Sequence, residues 1–214
     1  MSQSSKPRLL LADDHTLVLE GIRRLLEDDV DLVGTVEDGR SLLPAVQRLK
    51  PDVILLDISL PLLNGVEACR QLLKSVPKAR VIFLTMHADV VYVEEALRAG
   101  GVGYLLKRSA ASELKAAIVA VMRDKQYITP LINWKPLDSR QQTASEFGSD
   151  KLTPRQREVL QLVAEGRANK EIAVLLHVSE KTVDFHKSSI KRQLAINSTA
   201  ELTQFAIKHR IIVT

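Results

Sequence analysis

Between residues 8 and 125 the chain repeats one pattern five times: a short apolar run, then a longer stretch whose apolar residues recur three and four positions apart. The runs Arg8–Ala12, Asp31–Val36, Val53–Leu56, Val81–Leu84 and Val102–Leu106 are predicted strands. Between and after them, Thr16–Glu27, Gly39–Leu49, Gly65–Lys74, Val90–Ala99 and Ser112–Arg123 are predicted helices. Strands that are apolar on both faces belong in a parallel sheet covered on both sides by helices. Right-handed crossovers then wind the chain into a doubly wound α/β sheet whose functional groups gather at the carboxyl ends of the strands.

The periodicity stops at Thr129, and residues 129–150 are polar, contain two prolines and show no sustained period. They are expected to be an interdomain linker, with Trp134 and Phe147 either docked on a domain or half exposed. Beyond Lys151 the pattern is entirely helical: Pro154–Glu165 after Thr153, Lys170–Leu176 after Asn169, Glu180–Leu194 after Ser179 and Thr199–Lys208 after Ser198. Each start offers Ser, Thr or Asn to an orphan amide. The expected organisation is an α/β domain over 1–128, a linker over 129–150 and a small all-α four-helix domain over 151–214.

Charge separates the same pieces. Residues 1–130 hold 17 basic and 17 acidic side chains, whereas residues 151–214 hold 11 and 6, so the formal +4 belongs to the helical third. A hydrophobic content of 45% is enough for real cores. The longest apolar runs are too short to cross a bilayer, and MSQSSKPR leads into LLLADDH without an apolar leader, so a soluble cytoplasmic protein without membrane partners is expected. The single cysteine, Cys69, is expected to be a small core residue.

Chemistry-bearing residues fall at predicted strand ends: Asp13 and Asp14 after the first, Asp57 after the third, Thr85 after the fourth and Lys107 after the fifth. A parallel sheet brings these ends side by side. Three carboxylates in one crevice repel one another unless a hard divalent cation such as Mg²⁺ lies among the oxygens. Lys107 adds a compact cation for a carboxylate or phosphoryl oxygen, and Thr85 a hydroxyl. The chemistry that fits is phosphoryl transfer to a carboxylate, with Mg²⁺ shielding charge on both partners. An isolated Asp-Asp pair is usually a solvated turn; the coincidence at successive strand ends is what makes this one different.

The motifs LLLADDH, VILLDISLPLLNGVE, VIFLTMH and GYLLK closely resemble the receiver domain of two-component response regulators over residues 8 to about 125. The resemblance implies a flavodoxin-like five-stranded sheet of order 2-1-3-4-5, with Asp57 as phospho-acceptor. It further implies Mg²⁺ held by Asp13, Asp14, Asp57 and the backbone carbonyl of Ser59. Thr85 and Tyr104 would be the switch pair, and Lys107 would bind the phosphoryl group. Arg108 follows Lys107 where many receivers carry proline, and a non-proline cis bond costs ~3 kcal/mol. Ser59 and His87 lie two residues past Asp57 and Thr85, near the approach of a hydrolytic water.

The segment from Leu152 to Leu202 resembles the LuxR-type helix-turn-helix, and its coupling to a receiver matches the NarL/FixJ regulators. Its second helix would carry a buried line of Val183, Ile190 and Leu194. The opposite stripe is Lys181, Asp184, Phe185, Ser188, Lys191 and Arg192. In a major groove that stripe would meet base edges and phosphates. The resemblance puts Asp184, Phe185 and Ser188 at base-reading positions, and Lys170, Ser179, Thr182, Lys187, Lys191 and Arg192 at backbone or other DNA contacts. Asp184 would accept from a cytosine amino group, or fold back to orient Lys187 or Lys181. His177 replaces the usual turn glycine, so either it is left-handed or the turn differs.

Together these expectations describe a DNA-binding transcriptional regulator. A sensor histidine kinase would phosphorylate it on Asp57, and it would act as a homodimer on double-stranded DNA. It would be a stoichiometric acceptor with slow self-dephosphorylation and not an enzyme. The competing readings are a regulator that works without phosphorylation and a Mg²⁺-dependent aspartyl-phosphate phosphohydrolase.

Overall fold

The computed structural model describes residues 6–134 and 152–212, which fall in two units divided near residue 135. In the first unit β1 (Arg8–Ala12), β2 (Asp31–Val36), β3 (Val53–Leu56), β4 (Val81–Thr85) and β5 (Gly103–Leu106) alternate with five helices. These are α1 (Thr16–Leu26), α2 (Leu42–Leu49), α3 (Gly65–Ser75), α4 (Val90–Arg98) and α5 (Ala110–Met122). Gly39–Ser41, expected at the start of a helix, forms a tighter 3-10 turn, closed where the Asp38 carboxylate accepts from the Ser41 amide at 2.9 Å.

All strand pairs are parallel, in the order β2-β1-β3-β4-β5-β6. The sixth strand, β6 (Tyr127–Ile128), corrects the expected five: two residues are too short to show a period, yet they pair with Gly103 and Tyr104 of β5. Alternation along each strand divides the core. Leu10, Ile54, Leu56, Phe83 and Tyr104 face the side covered by α2, α3 and α4, while Leu9, Leu11, Val53, Leu55 and Leu84 face α1 and α5. Cys69 is buried in the first of these cores, which pushes its thiol up to about 12.

The linker begins later than its composition indicates. Thr129 is buried and donates its hydroxyl to Glu113 of α5 at 3.0 Å; Ile132 joins the core and Trp134 packs against it. Tyr127 donates to the other oxygen of the same carboxylate at 3.3 Å, so one α5 side chain pins both Tyr127 and Thr129. Phe147 lies outside the described residues.

The second unit contains α6 (Pro154–Ala164), α7 (Asn169–Leu176), α8 (Glu180–Leu194) and α9 (Thr199–Lys208). Its core is Val159, Leu160, Leu162, Ile172, Leu176, Val183, Ile190, Leu202 and Ala206. Thr153, Ser179 and Ser198 cap α6, α8 and α9 as expected. Asn169 does not cap α7. The N-cap position is Ala168, whose amide donates to Glu171 at 2.8 Å, and Asn169 turns its side chain toward α8. Leu194, expected in the buried line of α8, is partly exposed in the last turn before left-handed Ala195. No helix among the described residues is long and apolar enough to cross a membrane.

Candidate functional site

Strand register assembles the acidic site. Ala12 is paired with Leu56, and the Asp57 amide donates to the Ala12 carbonyl at 2.8 Å, so Asp13 and Asp57 leave adjacent strands side by side. Thr85 is paired with Leu106, which puts Lys107 one residue beyond. The Lys107 ammonium reaches Asp13 at 2.7 Å and Asp57 at 2.8 Å. Both carboxylates are 3% exposed, whereas Asp14 is at the surface. His15, unassigned by the sequence, joins them: its Nδ1 lies 2.8 Å from Asp14, and ligand atoms of Asp13, Asp14, His15 and Asp57 lie within 4.8 Å of one another. The Asp57 Oδ1 atom is buried with no hydrogen-bond partner. A buried anionic oxygen without a donor, among further carboxylates, suits a hard cation such as Mg²⁺.

Burial pushes the Asp57 carboxyl above its ordinary value; Asp13 adds to this, while Lys107 and the Ser59 backbone amide oppose it. Burial alone would lower Lys107, but its two carboxylate partners hold the ammonium above its usual range. An acid whose folded pKa is raised contributes stability below its unfolded value and loses it as the pH rises through the folded value. Ionised Asp57 therefore costs stability at neutral pH. Asp57→Asn should stabilise the first domain in EDTA at pH 7, because it removes the buried charge while keeping the shape of the side chain. The gain should shrink as the pH falls toward 4, as urea unfolding of both proteins across pH would reveal; a gain independent of pH would contradict it.

Thr85 and Tyr104 share a partner: both are fully buried and both bind His87. The Thr85 hydroxyl accepts from the His87 amide at 3.3 Å, and the Tyr104 hydroxyl donates to the His87 carbonyl at 2.8 Å. The His87 ring stacks on Tyr92 of α4, with centroids 4.1 Å apart and 15° between planes. Its Nε2 lies 3.0 Å from the Ser59 hydroxyl. Sequence placed His87 near the site but gave no sign of this role as a junction. The Lys107–Arg108 peptide is trans.

On the second unit, His177 is left-handed (φ 53°), closing α7 and turning the chain into α8. Lys181, Asp184, Phe185, Ser188 and Arg192 are exposed on α8, as is Lys170 on α7, and Phe185 at 66% is conspicuous for an aromatic residue. Thr182, Lys187 and Lys191 are partly buried. Ser179 is spent on the cap, accepting from the Thr182 amide at 3.1 Å. Lys191 donates to the Asn197 carbonyl at 3.2 Å and Lys187 to the Asn169 side chain at 2.8 Å. Lys170, Lys181 and Arg192 keep their cations clear of any acidic partner among the described residues. Gln156 steadies the helix from behind, donating to Ser189 and Gln193 at 3.1 and 3.3 Å.

Comparison with known proteins adds two family matches: residues 9–119 match the response regulator receiver domain, and residues 150–206 match bacterial regulatory proteins of the luxR family. The chain is 35% identical to the transcriptional regulatory protein MctR of Rhizobium johnstonii, over 99% of this chain and 98% of MctR. It is 36% identical to the oxygen regulatory protein NreC of Staphylococcus aureus, over 96% and 99%. Among solved structures it is similar to the RcsB response regulator of Salmonella typhimurium (TM-score 0.61, 27% identity, 96% and 98% covered). It is also similar to RcsB in a complex with DNA (TM-score 0.57, 28% identity, 96% and 99% covered).

Proposed function

The chain belongs to the NarL/FixJ family of two-component response regulators, a receiver domain joined to a LuxR-type DNA-binding domain, and we propose that phosphorylation of Asp57 is its switch. The observation that carries this is the convergence of Asp13, Asp57 and Lys107 around a buried Asp57 oxygen that has no donor. A phosphohistidine of a sensor kinase is the donor: an Asp57 oxygen attacks phosphorus as the phosphorus–nitrogen bond breaks. Asp13, Asp14 and Asp57, with the Ser59 backbone carbonyl, hold Mg²⁺, which when bound shields the charge on acceptor and phosphoryl group. Lys107 pairs with the transferred oxygens. The protein is a stoichiometric acceptor in the cytoplasm and not a turnover enzyme.

Once a phosphoryl group is on Asp57, the Thr85 hydroxyl donates to its oxygens and, in turning toward them, gives up the bond it accepts from the His87 amide. The long 3.3 Å bond between Thr85 and His87 supports that exchange. His87 passes the change to Tyr104 and, through its stacked ring, to Tyr92 on α4. On the second domain α8 enters the major groove of double-stranded DNA, as one half of a symmetric homodimer on two half-sites. Phe185 contacts a thymine methyl, Asp184 and Ser188 face base edges, and Lys170, Lys181, Lys191 and Arg192 contact phosphates.

Labelling with acetyl phosphate and Mg²⁺, followed by DNA-binding measurements, tests the switch. The wild-type chain should take up close to one phosphoryl group and bind its operator severalfold more tightly, while Asp57→Asn does neither. Equal labelling and equal binding of the two would overturn the proposal. Tightening without any label would instead point to a regulator that works without phosphorylation.

A further inference from the structure

Asp184 is the anomaly of the DNA-facing surface: a carboxylate on the exposed stripe of the helix that is to enter a polyanionic groove. It does not stand alone. The Asn169 side chain, on the first turn of α7, donates its amide N–H to Asp184 Oδ1 at 2.5 Å. The carbonyl oxygen of the same amide accepts from the Lys187 ammonium at 2.8 Å. Asp184 and Lys187 are three residues apart on one face of α8, and Asn169 bridges them from the neighbouring helix. One neutral amide thus lies between an anion and a cation, with its donor end on the anion and its acceptor end on the cation. Hydrogen bonds to charged groups are shorter and stronger than neutral ones, so the three side chains fix one another's orientation.

α7 does not need Asn169 for its own start, because Glu171 already satisfies the Ala168 amide. The Asn169 amide is therefore committed across the helix pair. Its effect falls on Asp184: with Oδ1 bound, the carboxylate cannot rotate to present both oxygens, and only Oδ2 remains to face a base. A fixed carboxylate oxygen accepts from an exocyclic amino group and repels an edge that offers only acceptors, such as O6 and N7 of guanine. Selectivity then comes from rejection as much as from attraction.

We infer that Asn169 is a positioning residue for sequence specificity, holding Asp184 in the orientation that admits an amino-bearing base edge and excludes guanine, and holding Lys187 beside it. This rests on the reading that α8 enters the major groove, and wild-type selection from a random library tests that reading separately. The full-length chain, Asn169→Ala, Asp184→Ala and the double variant would each select duplexes from a library randomised across one half-site. At the position facing Asp184, wild type should disfavour guanine by about tenfold or more. Each single variant should flatten that preference at least threefold, and the double variant should add nothing further, because both substitutions remove one device. The other positions of the consensus and the thermal midpoint of the second domain should remain unchanged in Asn169→Ala, which a merely structural role would not allow.

Asp184→Ala flattening the preference while Asn169→Ala leaves it intact would overturn the inference. Additive effects, with the double variant flatter than either single, would overturn it as well. A wild-type chain that enriches no sequence would overturn the DNA reading, and this inference with it.

Discussion

Gly65→Ala is expected to cost roughly 3 kcal/mol of first-domain stability and to slow phosphoryl uptake sharply, although alanine is the better helix former. Gly65 opens α3, and its amide donates to the Ile58 carbonyl at 2.9 Å. A Cβ there would lie 2.0 Å from the Asp57 carbonyl oxygen, 2.9 Å from its carbon and 3.1 Å from the Ile58 Cα. All three are backbone atoms of the segment that carries Asp57, so none can swing aside as a side chain would. Either α3 lifts from the sheet or Asp57 moves, and overpacking of this kind exceeds the ~1 kcal/mol that alanine gains over glycine inside a helix. Gly21 provides the control. It lies within α1 with no atom beyond its own stretch of helix within 4 Å of where a Cβ would go, so Gly21→Ala should stabilise by up to about 1 kcal/mol. Urea unfolding of both, with phosphoryl uptake measured alongside, decides the matter; a neutral Gly65→Ala would mean that the close approach does not govern the site.

Lys107→Met should destabilise the same domain by about 3–5 kcal/mol at pH 7 without divalent cations, because it strands two buried carboxylates. Lys107 is the shared cation of Asp13 and Asp57, and its own side chain is only 9% exposed. Methionine keeps most of the stem volume, so packing changes little and the electrostatic loss dominates. Two further signatures separate this cause from a general packing defect. The deficit should diminish as acid protonates the carboxylates, and Mg²⁺ should recover more stability in the variant than in wild type. A site at one hundred times its dissociation constant contributes ~2.7 kcal/mol. A deficit indifferent to both pH and Mg²⁺ would argue against the account.

The acidic site was legible because its residues sit at ends of strands whose apolar runs are unmistakable; once a parallel sheet is accepted, Asp13, Asp57 and Lys107 must converge. What escaped has different physical causes. Tyr127–Ile128 pairs through only two residues, too few for any period; Thr129 is held by one distant carboxylate on α5, and Ile132 and Trp134 by apolar packing on the core rather than by a pattern of their own. His87 acts chiefly through its main chain, giving its amide to Thr85 and its carbonyl to Tyr104, and side-chain type carries no record of that. Asn169 was misread because the residue types that cap helices locally also make long-range side-chain bonds. At a helix start the two uses look identical, and only the position of Asp184 fifteen residues on distinguishes them.

The first strand of the sheet in chain order is not an edge strand. Arg8–Ala12 sits between β2 and β3, so its second neighbour does not exist until Leu56 has been made. At ~5–20 residues per second, the stretch from the end of β2 to the end of β3 takes roughly 1–4 s, during which one row of β1 backbone groups has no partner. The nascent chain therefore offers Leu9, Leu10 and Leu11 to any holdase within reach before the acidic site can take shape.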